Sequence, residues 1–141
     1  MVKKQAALCL MLLLVFPPLV AAESSSINLT PSDNYIAYPG DTVQHHIDVS
    51  YTGTAATTLK LDLQSSYLDQ ITGNGQELVF DNGETNRFIW TLTLPSSVPY
   101  GNDVIVVNVI DTSDFSNQSV NVDLIITCLL YTSPSPRDQC L

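Results

Sequence analysis

The side chains able to do chemistry are few and far apart. His45 and His46 are the two histidines of the chain, and Trp90 is its one tryptophan. In an extended strand, adjacent residues point to opposite faces. His45 and His46 therefore cannot both reach one metal ion. The expected arrangement is His45 on an apolar row and His46 toward solvent. Two acidic loops, Asp81-Asn82-Gly83-Glu84 and Asp111-Thr112-Ser113-Asp114, hold oxygen ligands at short spacing, and calcium takes about six to eight oxygens. Neither loop has EF-hand spacing, and Asp and Asn serve the backbone of turns without any ion. The chain has no Gly-x-Ser-x-Gly elbow, no His-Glu-x-x-His pair and no phosphate-binding glycine loop. Its carboxylates are numerous enough to bring some pair together, yet none stands out as the acid and base of a glycosidase. The residues thus assign no catalytic group, no metal ligand and no cofactor.

Binding chemistry is better represented. Trp90 alternates in register with Phe88 and Leu92, which makes it a core anchor rather than a sugar-stacking platform. Val49 and Leu61 belong to matching apolar rows. Tyr35, Tyr38, Tyr100 and Phe115 fall in or near loops and are expected on the exposed side, where they could form a binding rim. Asn28-Leu29-Thr30 and Asn117-Gln118-Ser119 match the N-glycosylation triplet, so Asn28 and Asn117 are candidate modification sites.

The segments that must hold these residues have a period of two. Val43, His45, Ile47, Val49 and Tyr51 alternate with polar residues. So do Leu59, Leu61 and Leu63, and the rows from Phe88 to Leu94 and from Val120 to Ile126 alternate likewise except at Ile89 and Ile125. Each fits a strand with one face in a core and the other toward water. Val104 to Ile110 is apolar on both sides except at Asn108, the pattern of a central strand or one covered on its outer face. Shorter runs at Ile27-Leu29, Tyr35-Ala37 and Leu78-Phe80 complete the set. Turn chemistry separates them at Pro39-Gly40-Asp41, Thr52-Gly53-Thr54, Gly73-Asn74-Gly75, Asp81-Asn82-Gly83 and Pro99-Tyr100-Gly101-Asn102. About seven strands with no helical stretch predict an all-β, antiparallel β-sandwich over residues 23–127.

The two ends read differently. Lys3 and Lys4 precede an unbroken apolar run from Ala6 to Phe16, Pro17-Pro18 ends it, and Val20-Ala21-Ala22 offers small residues for cleavage before Glu23. Residues 1–22 thus form a signal peptide for the general secretory route, and its apolar stretch from Ala6 to Val20, 15 residues, is shorter than the about 20 residues of a membrane span. The chain is expected outside the cell or on its surface. At the other end, Cys128 to Asp138 resembles, residue for residue, the in-frame translation of a transposase-type sequencing-library adapter. Residues 128–141 are then a non-native, disordered tail, Thr127 is the last native residue, and the natural chain is longer.

Cys9 leaves with the signal peptide, while Cys128 and Cys140 belong to the tail, so no native bridge is expected. The whole chain has 141 residues and a formal net charge of −9. The segment from Glu23 to Thr127 is more acidic still, since Lys60 and Arg87 are its only bases. Such a surface repels phosphate polymers and excludes nucleic acid as a partner.

The first half, Pro39-Gly40-Asp41-Thr42-Val43 followed by the run to Tyr51, Thr52-Gly53-Thr54 and Leu59 to Leu63, resembles an immunoglobulin-like module of prokaryotic exported proteins. The second half runs through Asn82-Gly83-Glu84-Thr85, Phe88 to Pro95, Val98-Pro99-Tyr100-Gly101 and Val104 to Ile110. It is similar to CARDB (cell-adhesion-related) domains and to the accessory domain beside carbohydrate-binding modules in alpha-galactosidase-like enzymes. It departs from such modules at Tyr51-Thr52-Gly53, where they often carry Asn before the Gly.

The resemblance implies a non-catalytic module with a spacer, adhesion or presentation role. Its partner would be an unidentified protein or carbohydrate, or other domains of the same chain. The alternatives are an accessory domain of an extracellular hydrolase whose catalytic part lies elsewhere, and a self-contained small ligand-binding protein. The adapter reading is checkable by sequencing: the Thr127 codon that encodes the present chain ends in C, the adapter base before the Cys128 codon, and genomic DNA from an independent library does not encode the sequence from Cys128 onward.

Overall fold

Alternation along the strands sends every second side chain into a shared interior. The computed structural model describes residues 24–128 of the chain, and the signal peptide and most of the tail lie outside them. Nine strands occur among the described residues: β1 (Ser26–Pro31), β2 (Tyr35–Ala37), β3 (Thr42–Thr52), β4 (Thr57–Gln64), β5 (Ile71–Thr72), β6 (Glu77–Phe80), β7 (Thr85–Thr93), β8 (Gly101–Asp111) and β9 (Asn117–Ile126). A single 3-10 turn, Leu68–Gln70, stands before β5.

Four strands form one sheet in the order β1-β3-β7-β5, and five form the other in the order β2-β9-β8-β4-β6. Every pairing is antiparallel except that of β2 with β9, which is parallel. The expected strands are present. The additional one is β5, whose two residues offer no period to read.

The two inner faces close on one core. Trp90, Phe88, Leu92, Val49 and Leu61 are all at most 1% exposed, with Phe80 and Phe88 meeting at a tilt of 34°. The core needs no crosslink, since no cysteine lies between Ser26 and Ile126. Cys128, expected to form no bridge, is disulfide-bonded. Cys128 itself follows the last strand.

Strand β8 is central, as its apolar sequence predicts, but its outer face is open. Val104 is 38% exposed, while Val106 and Ile110 are half-buried. Central position, rather than a covering layer, accounts for its composition: neighbours on both sides shield the half-buried pair.

Polar pairs lock the outer face of the other sheet in register. Thr42 Oγ1 and Thr93 Oγ1 lie 3.3 Å apart and Ser50 Oγ and Thr85 Oγ1 2.8 Å apart. Between them Arg87 donates to both oxygens of Asp48, at 2.7 and 3.0 Å. These bonds hold the Asp48 carboxyl below its ordinary range. Such cross-strand pairs sit directly opposite each other in the β3–β7 ladder.

Close approach fixes one turn residue. A Cβ at Gly53 would collide with the hydroxyl of Tyr51, whose phenol donates to the Ala55 carbonyl at 3.1 Å across the same turn. Glycine at this point lets the connection from β3 in one sheet to β4 in the other pass close over the ring.

Because the core is one continuous cluster and Trp90 is among its largest fully buried side chains, truncating it leaves a cavity in that shared interior. Trp90→Ala is expected to lower unfolding free energy by about 3–5 kcal/mol. Urea denaturation followed by circular dichroism measures this, and a loss near zero would contradict the packing described.

Candidate functional site

The residues that could do chemistry fall into three places. The first is inside the sandwich, where β2 crosses to meet β3 and β7. Tyr35 is 6% exposed and His45 7%, and their rings stack with planes 14° apart. The Trp90 indole donates from Nε1 to Tyr35 Oη at 3.3 Å. Ser32 Oγ lies 3.3 Å from His45 Nδ1, while His45 Nε2 is buried and has no hydrogen-bond partner among the described residues.

Burial, reinforced by the neighbouring His46, pulls His45 down from 6.5 to about 4. Burial also pushes the Tyr35 phenol from 10.0 to about 12, against the opposing effect of the Trp90 hydrogen bond. His45 is therefore neutral at physiological pH and enclosed. Tyr35, expected on the exposed side, is a core residue. A three-residue strand flanked by turn residues shows no alternation, and the group that satisfies its hydroxyl lies on a distant strand.

The second place is the end of β8. Asp111 is 1% exposed, yet its Oδ1 accepts from Thr57 Oγ1 at 2.6 Å, from Ser113 Oγ at 2.6 Å and from the Ser113 N–H at 2.8 Å. Burial alone would raise this carboxyl, but these hydrogen bonds outweigh it and hold it below the ordinary range. The signal was present in the sequence as Asp111-x-Ser113, an Asx-turn spacing. The partner Thr57, in another strand, had no sequence mark.

The third place is the β6–β7 turn. The Asp81 N–H donates to Glu84 Oε2 at 2.8 Å and the Glu84 N–H to the Asp81 carbonyl at 3.0 Å. Gly83, at φ 79°, donates its N–H to the Tyr51 carbonyl at 2.9 Å. In the acidic loops Asn82 Oδ1, Glu84 Oε2, Asp111 Oδ1 and Asp114 Oδ1 answer backbone or hydroxyl donors. No group of three or more His, Cys, Asp or Glu side chains suited to a metal ion occurs among the described residues.

The remaining candidates are dispersed. Phe115 is 79% exposed and Tyr100 47%, Tyr38 is half-buried, and the three do not form one rim with Tyr35. Asn28 and Asn117 are both exposed, in β1 and β9. A groove of about 370 Å³ is lined by Ser24, Thr52, Gly53 and Asn82, none of them titratable. No helix among the described residues is long and apolar enough to cross a membrane.

The His45 environment gives stability a pH dependence with a definite sign. Between about 4 and 6.5 the unfolded chain binds a proton on this histidine that the folded chain refuses. The contribution is complete above pH 6.5 and is lost as pH falls toward 4. Urea titrations at pH 7 and pH 4.5 should differ by about 2 kcal/mol, and His45→Phe should flatten that difference. An unchanged slope in the variant would place the effect elsewhere.

No protein-family model matches the chain, and no curated protein matches it in sequence. Solved structures do match in shape. A family 123 glycoside hydrolase from Clostridium perfringens aligns with TM-score 0.58 at 9% identity, over 74% of this chain and 27% of that one. The CARDB domain of the PF1109 protein from Pyrococcus furiosus, determined in complex with di-metal ions, aligns with TM-score 0.54 at 11% identity, over 79% of this chain and 98% of that domain. A FixG-related protein from Vibrio parahaemolyticus gives TM-score 0.52 at 13% identity, over 73% and 96%. The present chain spans about a quarter of the glycoside hydrolase and nearly the whole of the other two. At these identities the likeness establishes the fold alone, an immunoglobulin-like β-sandwich that the CARDB domain shares.

Proposed function

We propose that this chain is a non-catalytic immunoglobulin-like module of an exported or cell-surface protein, serving as a spacer, adhesion or presentation domain. One observation carries the reading: the buried groups capable of acid–base chemistry are committed to the fold. Asp111 Oδ1 accepts from Thr57 and twice from Ser113, and His45 is held neutral in the core. The apolar signal-like start, with Lys3 and Lys4 ahead of it, supports export.

A second reading has its own support. The glycoside hydrolase contains this fold as about a quarter of its length, so an accessory role beside a hydrolytic domain fits the same surface.

The full chain, incubated with panels of nitrophenyl glycosides and nitrophenyl esters, is expected to release no nitrophenol beyond a urea-unfolded control. Turnover that follows the folded fraction through a denaturant titration would overturn the non-catalytic assignment.

A further inference from the structure

The last strand is covered along only part of its edge. Strand β2 pairs with Leu124, Ile125 and Ile126 of β9 and no further, because the chain before it belongs to β1 in the opposite sheet. The direction of the uncovered groups follows from two bonds. The Thr127 N–H donates to the Ala37 carbonyl at 3.1 Å, and the Asp123 N–H donates to Asn34 Oδ1 at 3.3 Å. Successive peptide groups in a strand point to opposite sides. The N–H and C=O groups of Asn117, Ser119 and Asn121 therefore face away from β8, on the side β2 occupies farther along. None of them has a hydrogen-bond partner among the described residues.

This edge lacks the usual protections. From Asn117 to Val122 there is no lysine, no proline and no other charge, and its pairing with β8 runs without a bulge. Proteins ordinarily blunt a free edge with such devices. Strand β1 runs near this stretch, and at its start a small groove of about 140 Å³ separates the two, lined by Ser25, Ser26, Ile27, Ser116, Asn117 and Gln118. The uncharged stretch is bracketed by exposed acids, Asp114 on one side and Asp33 and Asp123 on the other.

We infer that the Asn117–Val122 edge of β9 receives an extended strand from another polypeptide, uncharged in its middle and basic at its ends. The added strand continues the line of β2 and takes its hydrogen bonds from Asn117, Ser119 and Asn121. Charge selects the occupant. A second copy would bring its own Asp114 and Asp123 against the same acids, whereas lysines at the ends of a partner strand meet them. The inference goes beyond the module assignment and holds whether or not that assignment does.

The test uses the full chain and a synthetic peptide of alternating Thr and Val with a Lys at each end. Amide hydrogen exchange is read residue by residue by NMR. Saturating peptide is expected to slow exchange at Asn117, Ser119 and Asn121 by about tenfold or more. The amides of Gln118, Val120 and Val122, already facing β8, should be unchanged. The same peptide N-methylated at alternate residues should give no protection, and Asn121→Pro, which removes an outward N–H, should abolish it. Because that variant could fail to fold, the methylated peptide decides independently.

No protection, or equal protection by the methylated peptide, overturns the proposal. Equal protection by a peptide ending in Glu overturns the charge selection. Protection that grows with protein concentration in the absence of peptide assigns the edge to a second copy instead.

Discussion

Trp90 sits where the two sheets must close, and its indole N–H needs an acceptor once water is excluded. Tyr35 supplies it from across the sandwich. To do so the chain leaves the first sheet after Pro31 and enters the second at Tyr35, so β1 and β2 lie in different layers although only a few residues separate them. An unpaired indole N–H in a dry core is costly, and this hydrogen bond makes the crossing favourable. The parallel β2–β9 pairing, the stacking of Tyr35 on His45 and the incomplete cover of β9 all follow from the same crossing.

The long strands were legible because alternation is a direct record of which face meets water. The run from Val43 to Tyr51 falls inside β3, and that from Phe88 to Leu94 overlaps all but the first residues of β7. Trp90 could be placed in the core for the same reason. Short elements left no such record. The run Tyr35–Ala37 marks β2, but three residues between Asn34 and Tyr38-Pro39 do not say which face is buried, so Tyr35 reads as an exposed aromatic, and β5 reads as nothing at all. Their burial is decided by contacts with residues far along the chain, which no local pattern encodes.

The candidate chemistry shows the same division. His45 was placed on the apolar row by parity alone. Asp111 looked like one more acid in a turn, yet it is buried and takes three hydrogen bonds. Its Asx-turn partner Ser113 was visible in the spacing, whereas Thr57 reaches it from β4 through sheet geometry. Acidity in this module thus divides into two kinds. A few carboxylates are structural acceptors, and the rest give the surface its strongly negative charge.

Asn34 and Asp123, joined by a side-chain bond, are 89 residues apart in the chain, and the neighbouring β2–β9 ladder spans nearly the same distance. Long-range pairing of this kind slows folding, because the entropy of closing the loop must be lost before the contacts form. A chain emerging amino end first would therefore carry an unpartnered β2, and with it an uncovered Trp90, until its last strand appears. Completion of the sandwich is tied to arrival of its final residues, so an emerging chain would depend longest on whatever shields apolar surface during its passage.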